Sequence, residues 1–142
     1  MNNLYGPRSR RKVALTWYSV NKIEDFPLHI TFYHNPRCSK SRAALSLLRG
    51  WQLDIKIIEY LKTPPTKIEL SRILSMLGIG PRSLMRKKEA KYKAAGLDNP
   101  SLDDATLIAA MITHPILIER PIVVSKNKAV IGRPPENVLN IL

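Results

Sequence analysis

The sequence predicts a single α/β domain, and three observations carry that reading. A strand-like run, a run with helical spacing and a second strand-like run fit within residues 28–60, the length of one βαβ unit. The stretch from 66 to 115 is helical in its spacing, and residues 121–132 return to two short β-rich runs. Strands with helices between them pack as an α/β or α+β sandwich. A chain of 142 residues, 44% of them hydrophobic, suits one such domain and can bury a core, which excludes wholesale disorder.

Taken in order, Leu28-His29-Ile30-Thr31-Phe32-Tyr33 alternates and is rich in β-formers, so it is read as a strand over 28–34. His34-Asn35-Pro36-Arg37 is a loop. After Cys38, the residues Ala44, Leu45, Leu48 and Trp51 recur at helical spacing, and Gly50 marks the helix end. Asp54 to Tyr60 is a second strand. Ile55 and Ile57 face one way and Ile58 and Tyr60 the other, so it is expected to be covered on both faces. Pro64-Pro65 breaks the chain, and Thr66 with Glu69 forms a capping box. The stripe Leu70, Ile73, Leu74 and Leu77 follows, closed by Gly78. A short helix is expected around Ser83 to Lys88. Ser101 and Asp104 read as the N-terminal cap of a further helix, with Leu107, Ile108, Met111 and Ile112 buried and Pro115 as its stop. Pro121 opens an Ile122-Val123-Val124 strand, Ser125 to Lys128 is a hairpin turn, and Ala129-Val130-Ile131 returns. Pro134 suits the first turn of a last helix that turns Val138, Leu139 and Leu142 inward.

The charge balance is strongly basic, 23 Lys plus Arg against 11 Asp plus Glu, a net +12. Residues 1–27 hold five cations and two anions, and residues 28–142 the other eighteen and nine, so most of the excess lies in the body. Residues 1–27 are read as a basic, disordered extension; an organelle transit segment or a misassigned start would look the same. They contain no long apolar core, so they are not read as a secretory signal. The longest apolar runs, such as Ile116 to Ile118 and Pro121 to Val124, are too short to cross a bilayer, and no membrane association is expected. A basic surface attracts nucleic acid non-specifically, but there is no zinc finger and no aromatic-rich RNA-binding strand, so no nucleic-acid partner is expected either.

Cys38 is the chain's single cysteine, which excludes an internal disulfide and a multi-cysteine metal cluster, and fits a reducing compartment such as the cytoplasm. It lies just after a strand, at the start of a helix. The unpaired N–H groups of that first turn, with the helix dipole, favour an anion there and so lower the thiol pKa. Arg37, Lys40 and Arg42 add positive potential. Most lone cysteines are inert and buried, but Arg37, Ser39, Lys40 and Ser41 leave little apolar wall for that. His34 can tune the thiol or shape the loop. His29 reads as an ordinary strand residue and His114 as a helix end. No two histidines have metal-ligand spacing with Cys38, so no metal site is expected.

The string His34-Asn35-Pro36-Arg37-Cys38-Ser39-Lys40-Ser41-Arg42 resembles the active-site loop of the glutaredoxin-coupled arsenate reductase family, whose pattern is His, three residues, Cys, three residues, Arg. Further blocks are similar to the family in family order: Tyr60-Leu61-Lys62-Thr63-Pro64-Pro65, Arg82-Ser83-Leu84-Met85-Arg86-Lys87, the run from His114 to Val124, and Gly132-Arg133-Pro134. The resemblance covers about residues 28–142 and none of 1–27. It implies a thioredoxin-like fold, with a small mixed four-stranded sheet flanked by helices and a helical insertion between the second and third strands. It implies that Cys38 attacks the arsenic of bound arsenate while Arg86, Arg120 and Arg133 hold the oxyanion; Arg42 near the loop is a further candidate for binding it, and His34, at the pattern's first position, is the candidate for tuning the thiol. Pro121 matches the proline that faces the active cysteine, commonly as a cis peptide. The implied partners are arsenate, glutathione and glutaredoxin, with glutathione as cosubstrate, no bound cofactor, and arsenic detoxification in the cytoplasm as the setting. The physics agrees, because arsenate is anionic near neutral pH, suits the arginine fork, and opposes an approaching thiolate unless several cations stabilise the attack.

Three competing readings remain. A phosphatase-type loop needs Cys, five residues, Arg, and position 44 is Ala. Cys38-Ser39-Lys40-Ser41 fits the Cys-x-x-Ser of a monothiol glutaredoxin, which has no evident use for three arginines. A non-enzymatic redox or transcription regulator would use Cys-x-x-Cys, and Ser41 stands at the second position.

Overall fold

The computed structural model describes residues 27–142; the reading of residues 1–27 as an extension lies outside the described residues save for Pro27. Four strands, β1 (Leu28–His34), β2 (Leu53–Glu59), β3 (Ile122–Val124) and β4 (Ala129–Ile131), form one sheet in the order β2-β1-β3-β4. β1 runs parallel to β2 and antiparallel to β3, and β3 is antiparallel to β4. The helices are α1 (Ser39–Arg49), α2 (Lys67–Leu77), α3 (Pro81–Leu84), α4 (Ala90–Ala94) and α5 (Asp104–Thr113), with 3-10 turns at Pro115–Leu117 and Pro135–Ile141. The mixed sheet with its helical insertion between β2 and β3 is the expected thioredoxin-like arrangement.

The period-two alternation of β1 divides the core. Ile30 and Phe32 face α1 and the C-terminal turn, packing with Ala44, Leu45, Leu48, Val123, Val138 and Ile141. Tyr33 faces the helical insertion and joins Leu70, Ile73, Leu74, Leu84, Leu107, Met111 and Leu117. β1 is thus central and covered on both faces. β2 is not. It is the edge strand, none of its residues is buried, and Ile57 is exposed, so the expectation of full cover on both faces is corrected. An edge strand beyond the reach of the flanking helices leaves its outer side chains to solvent.

The capping box is present: Thr66 Oγ1 accepts from the Glu69 N–H, and Glu69 Oε1 accepts from the Thr66 N–H. Gly78 closes α2 at φ 69°, a left-handed turn that suits glycine. Other boundaries move. The short helix expected at Ser83–Lys88 is Pro81–Leu84, because Pro81 starts it and Met85 leaves it to bridge Ile118. The cap of α5 is Asp103, not Ser101 with Asp104, since the Asp103 carboxylate accepts from Thr106 N–H. Trp51 lies past the end of α1 and is exposed. The last element is a 3-10 turn with Pro134 as its N-cap. Its three-residue period buries Val138 and Ile141 and turns Leu142 out, against the α-helical expectation of Leu142 inward.

Candidate active site

The sheet register gathers the sequence-predicted residues at one end. Tyr33 of β1 lies opposite Ile122 of β3, which lies opposite Ile131 of β4, while His34 lies opposite Glu59 of β2. The loop carrying Cys38, the turn carrying Tyr60, the entry to β3 carrying Arg120 and the exit of β4 carrying Arg133 therefore share one edge of the molecule. The Met85–Ile118 bridge, with Arg86 N–H donating to Leu117 C=O at 2.7 Å, ties Arg86 to the same place.

Cys38 is the N-cap of α1 and is half-buried. Burial pushes its thiol up, but Ser41 and Lys40 N–H groups and the Arg120 guanidinium outweigh it, and the net result lies below the ordinary thiol value. The loop that sets this geometry is tightly bonded. Cys38 N–H donates to Asn35 C=O at 3.0 Å, Arg37 N–H to the Asn35 side chain at 3.0 Å, and Asn35 N–H to Ser41 Oγ at 3.1 Å. Fully buried Ser41 also shares a 2.7 Å hydrogen bond with His34 Nδ1. His34 is buried, and burial holds its pKa down. Of its two sequence readings, this contact fits shaping the loop: the imidazole is engaged by Ser41.

Arg86, Arg120 and Arg133 meet at one carboxylate. Glu119 Oε1 lies 3.3 Å from Arg133, 3.5 Å from Arg120 and 4.0 Å from Arg86. Arg86 pairs in addition with Glu89. The Arg120 side chain is 15% exposed, and its buried Nε has no hydrogen-bond partner among the described residues. The Gly132 N–H donates to Pro121 C=O at 2.8 Å, which sets Arg120 and Arg133 side by side. The Arg120–Pro121 peptide is cis, as expected, and so is Arg133–Pro134. A cleft of about 350 Å³ opens between Arg86, Lys87, Lys88, Glu119 and Arg133.

Arg42 stays outside this cluster, because its guanidinium turns back to donate to Pro36 C=O at 2.9 Å. Sequence reasoning gave no site role to Glu119, Tyr60 or Asn35. Tyr60 is buried beside the cysteine. Burial pushes its hydroxyl up to about 12, against the pull of Arg120 and Arg86. The only sequence signal for Glu119 was its place next to Arg120. Among the described residues, no group of three His, Cys, Asp or Glu is arranged to hold a metal, and no helix is long and apolar enough to cross a membrane.

Comparison with known proteins gives a consistent result. The ArsC family model matches residues 33–141. An arsenate reductase of Neisseria meningitidis serogroup A is 50% identical over 114 residues, covering 80% of this chain and 97% of that protein. The uncharacterized protein YfgD of Escherichia coli K12 is 48% identical over 114 residues, covering 80% and 96%. The solved structure of an arsenate reductase from Vibrio cholerae superposes with a TM-score of 0.79 at 47% identity, covering 82% of this chain and all of that one.

Proposed function

The chain belongs to the ArsC family, and from that premise we propose that residues 28–142 form an arsenate reductase domain that reduces arsenate to arsenite with glutathione and glutaredoxin. The observation that carries the reading is Cys38 at the N-cap position of α1, its thiol pKa lowered by first-turn N–H groups and by Arg120, whose buried Nε has no hydrogen-bond partner among the described residues. Arg86 and Arg133 stand on the same carboxylate as Arg120. Together they supply the cations that an anionic substrate needs when a thiolate approaches it.

In the proposed reaction the Cys38 thiolate displaces one arsenate oxygen, which leaves as water, and an As–S bond forms. Glutathione displaces a second oxygen in the same way. A glutaredoxin thiol then attacks the glutathione sulfur. The electron pair of that As–S bond returns to arsenic, taking it from As(V) to As(III), and the two sulfurs leave as a mixed disulfide. Water releases arsenite from Cys38. The arginines stabilise charge on the arsenate oxygens, and the first-turn N–H groups hold Cys38 as thiolate. With Cys38 the single cysteine, the second thiol must come from outside. The reducing cytoplasm is the compartment this chemistry implies.

Two features weigh against a glutaredoxin-like thiol exchange alone. The Ser41 hydroxyl is buried against His34 and Asn35, and three arginines converge on one point. The deciding assay is arsenate-dependent NADPH oxidation coupled through glutathione, glutaredoxin and glutathione reductase. The wild-type protein is expected to turn over and Cys38→Ser to be inactive; a folded wild-type protein without turnover would refute the substrate assignment.

A further inference from the structure

Glu119 is an anion placed where an anion is to bind. The hydrogen bonds it accepts fall on Oε1, from the Arg120 backbone N–H at 3.3 Å, Arg120 Nη1 at 3.5 Å and Arg133 Nη1 at 3.3 Å. Oε2 accepts none among the described residues. With its side chain 26% exposed, the carboxylate also borders the cleft formed with Arg86, Lys87, Lys88 and Arg133. As a simple brace it would be costly. Counting Arg86, Lys87, Lys88, Arg120 and Arg133 against Glu119, Glu89 and an ionised Cys38, five cations face three anions, and Glu119 removes one unit of the positive charge that would hold an anion. A pocket built only to hold a dianion would not spend a carboxylate there, since a like charge at contact distance opposes the ligand.

The carboxylate does have one chemical use. Arsenate and phosphate still carry a proton near neutral pH, so one of their oxygens can donate a hydrogen bond to Glu119 while the others accept from arginine. Sulfate has the same shape but no proton, and it would set an oxyanion oxygen directly against a carboxylate oxygen. A site built to accept a hydrogen bond from its ligand rejects an analogue that lacks the donor. We propose that Glu119 is a specificity-determining residue that selects protonated tetrahedral oxyanions, arsenate and phosphate, over fully deprotonated ones such as sulfate. The inference rests on the oxyanion pocket of the reading above and adds its selectivity.

The test uses Cys38 as its own reporter. The full chain is alkylated with iodoacetamide, which is uncharged, at pH 7 and constant ionic strength, with increasing sodium arsenate, phosphate or sulfate. For the wild-type protein, the half-protecting concentrations of arsenate and phosphate are expected to be at least about tenfold below that of sulfate. In Glu119→Gln, which keeps an amide oxygen for the arginines but removes the charge, the ratio is expected to fall toward one, chiefly because sulfate gains. Equal protection of the wild-type protein by sulfate and phosphate overturns the proposal; so does a ratio unchanged in Glu119→Gln, or protection by no anion. Selective protection without arsenate-dependent turnover would refute the reductase reading and leave this one standing. Turnover without selectivity would do the reverse.

Discussion

At the scale of the residue, the proposed nucleophile is a thiol whose environment is assembled by short polar contacts. Cys38 was legible because it is alone in the chain, follows a strand and opens a helix. What the chain order could not show is which cations reach it. Arg37, Lys40 and Arg42 are its neighbours in sequence, yet the guanidinium that acts on it is Arg120, more than eighty positions away. The consequence is measurable. Since the folded thiol titrates below the ordinary thiol value of 9.0, the rate of Cys38 alkylation against pH should reach half its maximum below that point. Arg120→Ala is expected to move the midpoint up. Arg42→Ala should leave it in place, because that side chain is spent on Pro36 C=O. The linkage sign follows. A depressed thiol pKa favours the folded state above the unfolded thiol value, and the gain is lost as pH falls through the folded one. Stability should therefore rise with pH across that interval, and Cys38→Ser should flatten the rise. In turnover, Arg120→Ala is expected to lose on the order of 10²-fold, the usual cost of removing one donor to a developing oxyanion. Unchanged turnover and an unmoved midpoint would remove Arg120 from the site.

At the scale of the element, the sequence showed strands and helices more clearly than their ends. Capping chemistry of the Thr66–Glu69 kind is local, so it reads directly from spacing. Tertiary pairings are not local. The Met85–Ile118 bridge shortens the helix before it, and nothing in residues 83–88 announces that partner. The junction of β3 and β4 is the element on which the arginine pair depends. Gly132 is buried, and a Cβ there would lie 2.7 Å from Pro121 Cγ and 2.8 Å from Val138 Cγ1. Both neighbours are fully packed, so neither can yield cheaply. Gly132→Ala is therefore expected to destabilise the protein by roughly 1–3 kcal/mol through overpacking, read as a lower denaturation midpoint. It should also weaken oxyanion protection of Cys38, because the strain falls between Arg120 and Arg133. A variant as stable as wild type would mean that the β4 exit has slack that this packing denies it.

At the scale of the whole molecule, the alternation of Leu28–Tyr33 and the order of the elements were enough to expect a covered central strand, while the sheet order was not. Two strands with similar isoleucine-rich text, β1 and β2, occupy the centre and the edge, and the difference arises only when β3 pairs with β1. That pairing also converts a basic composition into a localised site. Residues far apart in the chain meet because β1, β3 and β4 all turn the relevant ends to one side of the sheet. The site should then be as rigid as the sheet that carries it, and separable from the stability of the rest. Leu48 tests this. It is fully buried against the opposite face of β1 and β3, near the far end of α1, ten residues and so about 15 Å along the helix from Cys38. Leu48→Ala should cost about 2–5 kcal/mol of stability, from lost burial and the cavity it leaves, seen as an earlier denaturant midpoint. Below that transition, the pH midpoint of Cys38 alkylation should match wild type, since neither the loop bonds from Asn35 and Ser41 nor Arg120 rests on Leu48. A shift comparable to that of Arg120→Ala would show instead that the thiol environment is set by helix packing and not by the sheet edge.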